Sequence, residues 1–239
     1  AAGDGDTLVI AGHRFELDAP LSWSGSADIT IRGGYAATNA AEQPGPRDPT
    51  LWPTLITRPP AISNRLLSAT AVTNGTLDGL TFAGGDARGN GGGLLLNACP
   101  NFQILSCTIV SNTARTNAAT GSISGGGLFL TGTTEATLSN CLLAANSVIT
   151  ERNVDARGGG IAIDSAAQAT LLDCLLSRNS AFNPSISANN KAMGGAIHNA
   201  GTTRIVNGLV VKNEARHNTS TADFERGDGV YAAGGALTL

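Results

Sequence analysis

The stretch "SGGGLFL", residues 124–130, sets three glycines directly before an apolar run. Similar stretches stand at 90–96 ("NGGGLLL"), 157–163 ("RGGGIAI") and 193–199 ("MGGAIHN"), and "AGGALTL" occupies 233–239. Aligning the blocks brings further columns into line: "ILSCTIVSN", "LSNCLLAAN", "LLDCLLSRN" and "IVNGLVVKN" superpose. Their closing residues Asn112, Asn146, Asn179 and Asn213 are 34, 33 and 34 residues apart, and Cys107, Cys141 and Cys174 keep the same step, with Gly208 in the fourth place. Self-similarity held over four units is the signature of a repeat architecture.

Within a unit the hydrophobic period is two. The column Leu94, Leu128, Ile161, Ile197 and Leu237 is apolar in every copy, whereas the next column, Leu95, Phe129, Ala162, His198 and Thr238, varies. Constant alternating with variable marks a strand with one buried face. Two amphipathic helices per unit, as in helical repeats of similar length, cannot be drawn through these glycines and β-branched residues. Each unit offers three short strands, at 126–131, 136–140 and 141–146, with a phase slip between Asn140 and Cys141 that reads as a corner. Three strands per coil, stacked in register, describe a parallel β-helix whose remaining residues leave one corner as a loop and return.

The N-terminal part is less regular. Residues 6–34 and 53–85 each supply strand-like runs for a coil, and 35–53, "YAATNAAEQPGPRDPTLWP", is a Pro-containing excursion without periodicity. The expected fold is therefore all-β: a single solenoid domain over 1–239 of about six to seven coils, irregular over 1–90 and regular over 91–239 with repeats of 33–40 residues. Six coils at a strand spacing of roughly 4.8 Å make a rod about 30 Å long.

Composition narrows the function. Of 239 residues 41% are apolar and 14% charged, too apolar for a disordered chain, and the net charge of −3 offers no general attraction to nucleic acid or anionic lipid. No apolar run is long enough for a transmembrane helix, so no direct membrane insertion is expected. The opening "AAGDGDTLVI" has neither methionine nor signal core and reads as a processed or excised segment.

The paired "GGGL", "GGGI", "GGAI" and "GGAL" stretches and the "IVSN", "LAAN", "LSRN" and "VVKN" stretches resemble the GGA[ILV]/FxxN repeats of chlamydial polymorphic outer membrane protein passenger domains and related bacterial surface proteins, with an aliphatic residue where that family often carries Phe. "GDTLVIAG" and the segment at 29–57 are similar to the opening coils of secreted bacterial β-helix proteins. The resemblance implies a right-handed β-helix and an extracellular or cell-surface location. It implies no catalytic residue, because such a family is defined by its repeat.

Each repeated column has a structural use. The glycines suit a backbone that turns with positive φ or lies under a neighbour, and neither P-loop, Rossmann nor RTX calcium spacing is present. Stacked asparagines satisfy one another's amides. The cysteine column reads as buried free thiols acting as small apolar fillers. Cys99 is left open between an exposed thiol and a partner for Cys107. One outward column is read as Gly93, Gly127, Gly160, Ala196 and Ala236, a smooth face covered by the long loops or by another subunit, and His198 is read as a lone surface or partly packed side chain.

No paired carboxylates arise on that strand, so neither catalytic residues nor cofactors nor metal ligands are assigned. The expected function is a non-catalytic structural or adhesive module. The competing class is a polysaccharide-active or carbohydrate-binding β-helix, with a glycan as partner. Polar chemistry sits in loops that lengthen toward the C-terminus, with glycine-block steps of 34, 33, 36 and 40 residues. Among their residues Arg152 is expected to matter little for stability. The last apolar column, ending at Leu237 and Leu239, lacks a cap, and another subunit or the rest of a longer chain is expected to cover it.

Overall fold

The computed structural model describes residues 2–38, 44–116, 121–150, 154–184, 190–218 and 225–239. Among them every named strand pair is parallel and no helix occurs. Accordingly, no helix is long and apolar enough to cross a membrane, a statement that leaves strands aside. The chain is all-β, with the stacked parallel sheets of a solenoid.

One regular coil shows the plan. Leu128–Thr131 lies in a first sheet, Glu135–Ser139 in a second and Leu142–Ala144 in a third. The second sheet holds eight strands and the first and third seven each. The next residues do not form a plain loop. Ser147–Thr150 enters an outgoing sheet of five strands, and Asp155–Arg157 a returning sheet of four, before the next glycine block restarts the coil. The expectation of three strands per coil is corrected to five in the regular part. The extra pair escaped the repeat reading because its constant element is a single small apolar position.

Period-two burial accounts for the core. Leu94–Asn97 and Phe102–Leu105 alternate buried and half-buried residues. The inward column Leu21, Leu67, Leu94, Leu128, Ile161, Ile197 and Val230 stacks in register through all seven strands of the first sheet. One buried cluster runs between the three main sheets from Ile56 to Ile205, and a smaller one of Ala114, Ile123, Val148, Ala156 and Ala181 separates the outgoing and returning sheets. These two sheets form a side arm with its own thin core. Corners are made by residues in the left-handed region. Asn140 has φ 54°, placing a turn at the phase slip, and Ala145, Arg178 and Lys212 repeat the conformation where the third sheet hands over to the arm.

The C-terminal register differs from the sequence alignment. Val230–Ala232 pairs with Ile197–Asn199 in the first sheet, whereas Ala236–Thr238 pairs with Thr202–Arg204 in the second. The fifth glycine block is thus "GDG" at 227–229. "GGALTL" belongs to the following strand, Val230 replaces Leu237 in the apolar column, and Gly229 replaces Ala236. Glycine-block steps become 34, 33, 36 and 33 residues, so the units do not lengthen toward the end. "GDG" was overlooked because Asp228 interrupts the pattern that the other blocks share.

Candidate functional site

Where the side arm joins the rod, two strands of each coil cross at a neck, and the glycine and asparagine columns meet there. Asn112 Nδ2 donates to Asn146 Oδ1 (3.0 Å), Asn146 Nδ2 to Asn179 Oδ1 (3.0 Å) and Asn179 Nδ2 to Asn213 Oδ1 (2.9 Å). Each receiving Oδ1 also accepts the backbone N–H of the asparagine below it. The second Nδ2 hydrogen goes to the carbonyl of Phe82, Ile109, Leu143 or Leu176. Asn112, Asn146 and Asn179 are fully buried, so this pairing removes what would otherwise be costly unsatisfied groups.

The three glycines of a block do three different things. Gly125, at φ +69°, makes the turn out of the arm. Gly126 lies so close to the backbone of Ser147 and Gly159 that no Cβ fits. At Gly127 a Cβ would stand 2.9 Å from Asn146 Cγ and 2.7 Å from Gly160 O, so the missing side chain is the space the ladder occupies. The column Gly93, Gly127, Gly160 and Ala196 is therefore buried under the asparagines, and its reading as a smooth outward face is corrected. Period-two alternation breaks down at the neck, because both sides of that backbone are covered.

Cys107, Cys141 and Cys174 share one register, set by the stacking of Thr108, Leu142 and Leu175, and are 1–3% exposed. Their sulfurs lie near backbone carbonyls of the preceding coil: Leu77 O at 3.7 Å, Ile104 O at 3.2 Å and Leu138 O at 3.5 Å. Burial pushes the Cys107 thiol up to about 12. Cys141 is raised too, by its interaction with the neighbouring Cys174 thiol and then by burial. Cys99 is neither exposed nor joined to Cys107: it is a free thiol at 0% exposure, between the first and second sheets.

Two of the carboxylates each hold a pair of arginines. Asp78 pairs with Arg47 at 2.6 Å and Arg32 at 3.0 Å, Asp86 with Arg115 at 2.6 Å and Arg58 at 3.5 Å, and Asp155 with Arg157 at 2.8 Å. Among the described residues no three His, Cys, Asp or Glu converge as a metal-binding group. Arg152 lies outside the described residues. The arm itself had a legible signal: two residues after each ladder asparagine stands Ala114, Val148, Ala181 or Ala215, the inward column of the outgoing sheet.

His198 points away from the main core, yet it is only 5% exposed, with the Tyr231 ring 5.7 Å away. Its reading as a surface side chain is corrected. Burial, and then the Arg157 charge, lower its pKa from 6.5 to about 4. A histidine with a depressed folded pKa contributes stability in full above 6.5 and loses it as pH falls toward 4. Each pKa unit is about 1.4 kcal/mol, so the loss approaches roughly 3 kcal/mol. Denaturant unfolding of the wild type and of His198→Gln at pH 7 and pH 4.5 should therefore show a smaller acid-side loss in the variant. Equal losses would mean that His198 titrates alike in the folded and the unfolded chain.

No family model, curated protein or solved structure matches the chain.

Proposed function

We propose that the chain is a right-handed parallel β-helix acting as a non-catalytic structural or adhesive module of a secreted or surface-displayed bacterial protein, similar to the polymorphic outer membrane protein passengers. The observation that carries the reading is the division of labour in the side arm. The inward column of the outgoing sheet, Ala87, Ala114, Val148, Ala181 and Ala215, stays small and apolar, while its outer neighbours Arg88, Arg115, Ile149, Phe182 and Arg216 keep Arg over the first step and change residue type at each of the next three. A constant scaffold bearing a variable outer face suits recognition better than turnover. Arg216 stands 5.4 Å over the Phe182 ring, a cation–π pair suited to flat or polar ligands.

The competing reading, a polysaccharide-active β-helix, is favoured by the placement of His198 and Tyr231 near the Asp155–Arg157 pair. Incubation with neutral and uronate-containing polysaccharides separates the two. Retention on immobilised glycan or host-cell surface without new reducing or unsaturated ends supports a binding module. Release of such ends, abolished in His198→Gln, supports the enzyme.

The same reading includes a partner at the C-terminal face of the rod. Ile205, Val210, Val230 and Leu239 line an opening of about 370 Å³ there, and Leu209 and Leu239 are 56% and 86% exposed. Apolar core beside unpaired strand edges is a surface for another subunit. Sedimentation should show concentration-dependent association that Leu239→Asp together with Leu209→Asp weakens. A monomer unaffected by either change would remove this part of the proposal.

A further inference from the structure

We propose that the cysteine column is a binding site for one soft, two-coordinate metal ion, held between sulfurs of adjacent coils with Cys141 as the obligatory ligand. The geometry follows from the sheet. Cys107, Cys141 and Cys174 occupy one register on three successive parallel strands, so their side chains point the same way, one strand spacing apart. That spacing is about 4.8 Å. A metal–thiolate bond is about 2.3 Å, so an ion midway between two stacked sulfurs spans nearly the same distance. All three sulfurs are turned inward, each near a backbone carbonyl of the preceding coil.

The donor set selects the metal. Zinc takes four ligands in a tetrahedron, and this column supplies two sulfurs at a time, with no third His, Cys, Asp or Glu converging on them among the described residues. Thiolate-only, low-coordinate binding is the chemistry of thiophilic ions of the copper(I), silver(I) and mercury(II) class. The surroundings favour a neutral product, because an uncompensated charge in this core would be costly. A divalent ion meets that condition: Hg²⁺ and two thiols give a neutral bis-thiolate and release two protons, with no change of oxidation state. A surface groove lies beside the Cys107 end of the column, from which an ion would reach the 1% exposed thiol through local opening of the coil. Arg47, Pro49 and Thr50 of the N-terminal excursion face Ser106, Asn140 and Leu142 across a groove of about 330 Å³, and Cys107 forms part of its wall.

Mercury(II) chloride is the probe, added to the folded full chain without reductant and followed by desalting. The wild type should retain one ion per chain, show two-sulfur coordination by X-ray absorption and unfold at a higher temperature than the apo protein. Cys174→Ser should still retain one ion, through Cys107 and Cys141. Cys141→Ser should lose the two-sulfur coordination, because Cys107 and Cys174 are then about 10 Å apart and either can hold mercury only singly, as RS–Hg–Cl with loss of one HCl. The double variant Cys107→Ser/Cys174→Ser, which leaves Cys141 alone in the column, should lose it too and provides the test if Cys141→Ser does not fold. Zinc(II) should not be retained by any of them. Two-sulfur coordination in Cys141→Ser or in the double variant, or no retention by folded wild type, would overturn the site.

Discussion

Gly126→Ala is expected to be among the most damaging single methyl groups that can be added to this protein, lowering stability by on the order of 5 kcal/mol, near the extreme for a point substitution. Its Cβ would fall closer than 3.0 Å to backbone atoms of both Ser147 and Gly159. Neither is the end of a flexible side chain, so relief requires the two strands of the neck to separate on successive coils. Separation breaks the contact that lets the side arm leave the rod, and it pulls on Gly127, which packs against Asn146. Gly3→Ala is the matched control, with ordinary backbone and its nearest neighbour 3.8 Å away, and should change the unfolding midpoint little. Comparable midpoints for the two variants would mean that the neck is looser than described.

Asn146→Ala is expected to cost about 4 kcal/mol, the sum of two stranded buried donors at about 2 kcal/mol each. The lost Oδ1 accepts both Asn112 N–H and Asn112 Nδ2, and the lost Nδ2 serves Ile109 O and Asn179 Oδ1. Damage therefore spreads to the coils on both sides. Asn213→Ala, at the half-buried end of the ladder, should cost less, because water reaches the groups it strands. Gln168→Ala, an exposed residue touching Glu135 at 3.4 Å, should have almost no effect. Chemical denaturation of the three variants orders them. Equal effects at Asn146 and Gln168 would show that the ladder is not a stability element.

Both effects arise because a stacked repeat makes each residue the partner of its own counterpart one coil away. A polar side chain that would be a liability alone becomes self-satisfying when repeated. The methyl-free glycine positions supply the room. Stability is then nearest-neighbour in character, and a lesson from one coil transfers to the next.

Much of this was legible in the amino-acid sequence. The constant Leu94, Leu128, Ile161 and Ile197 column and the Asn and Cys columns spaced 33 or 34 residues apart specify parallel strands stacked in register, because only that arrangement brings residues of one column together. Tertiary structure alone decided what each glycine of a block is for, since a turn at Gly125, a backbone crossing at Gly126 and a space for Asn146 at Gly127 look identical as letters. It also decided that the intervening segments pair as a five- and a four-stranded sheet, because their shared signal is one small apolar residue per coil. It moved "GGALTL" from the first sheet to the second, and it buried His198. The physical reason is common to all of these. Period and spacing report which residues are equivalent between coils, whereas contacts between different sheets of a coil depend on where the corners turn, and no repeat of the sequence encodes that direction.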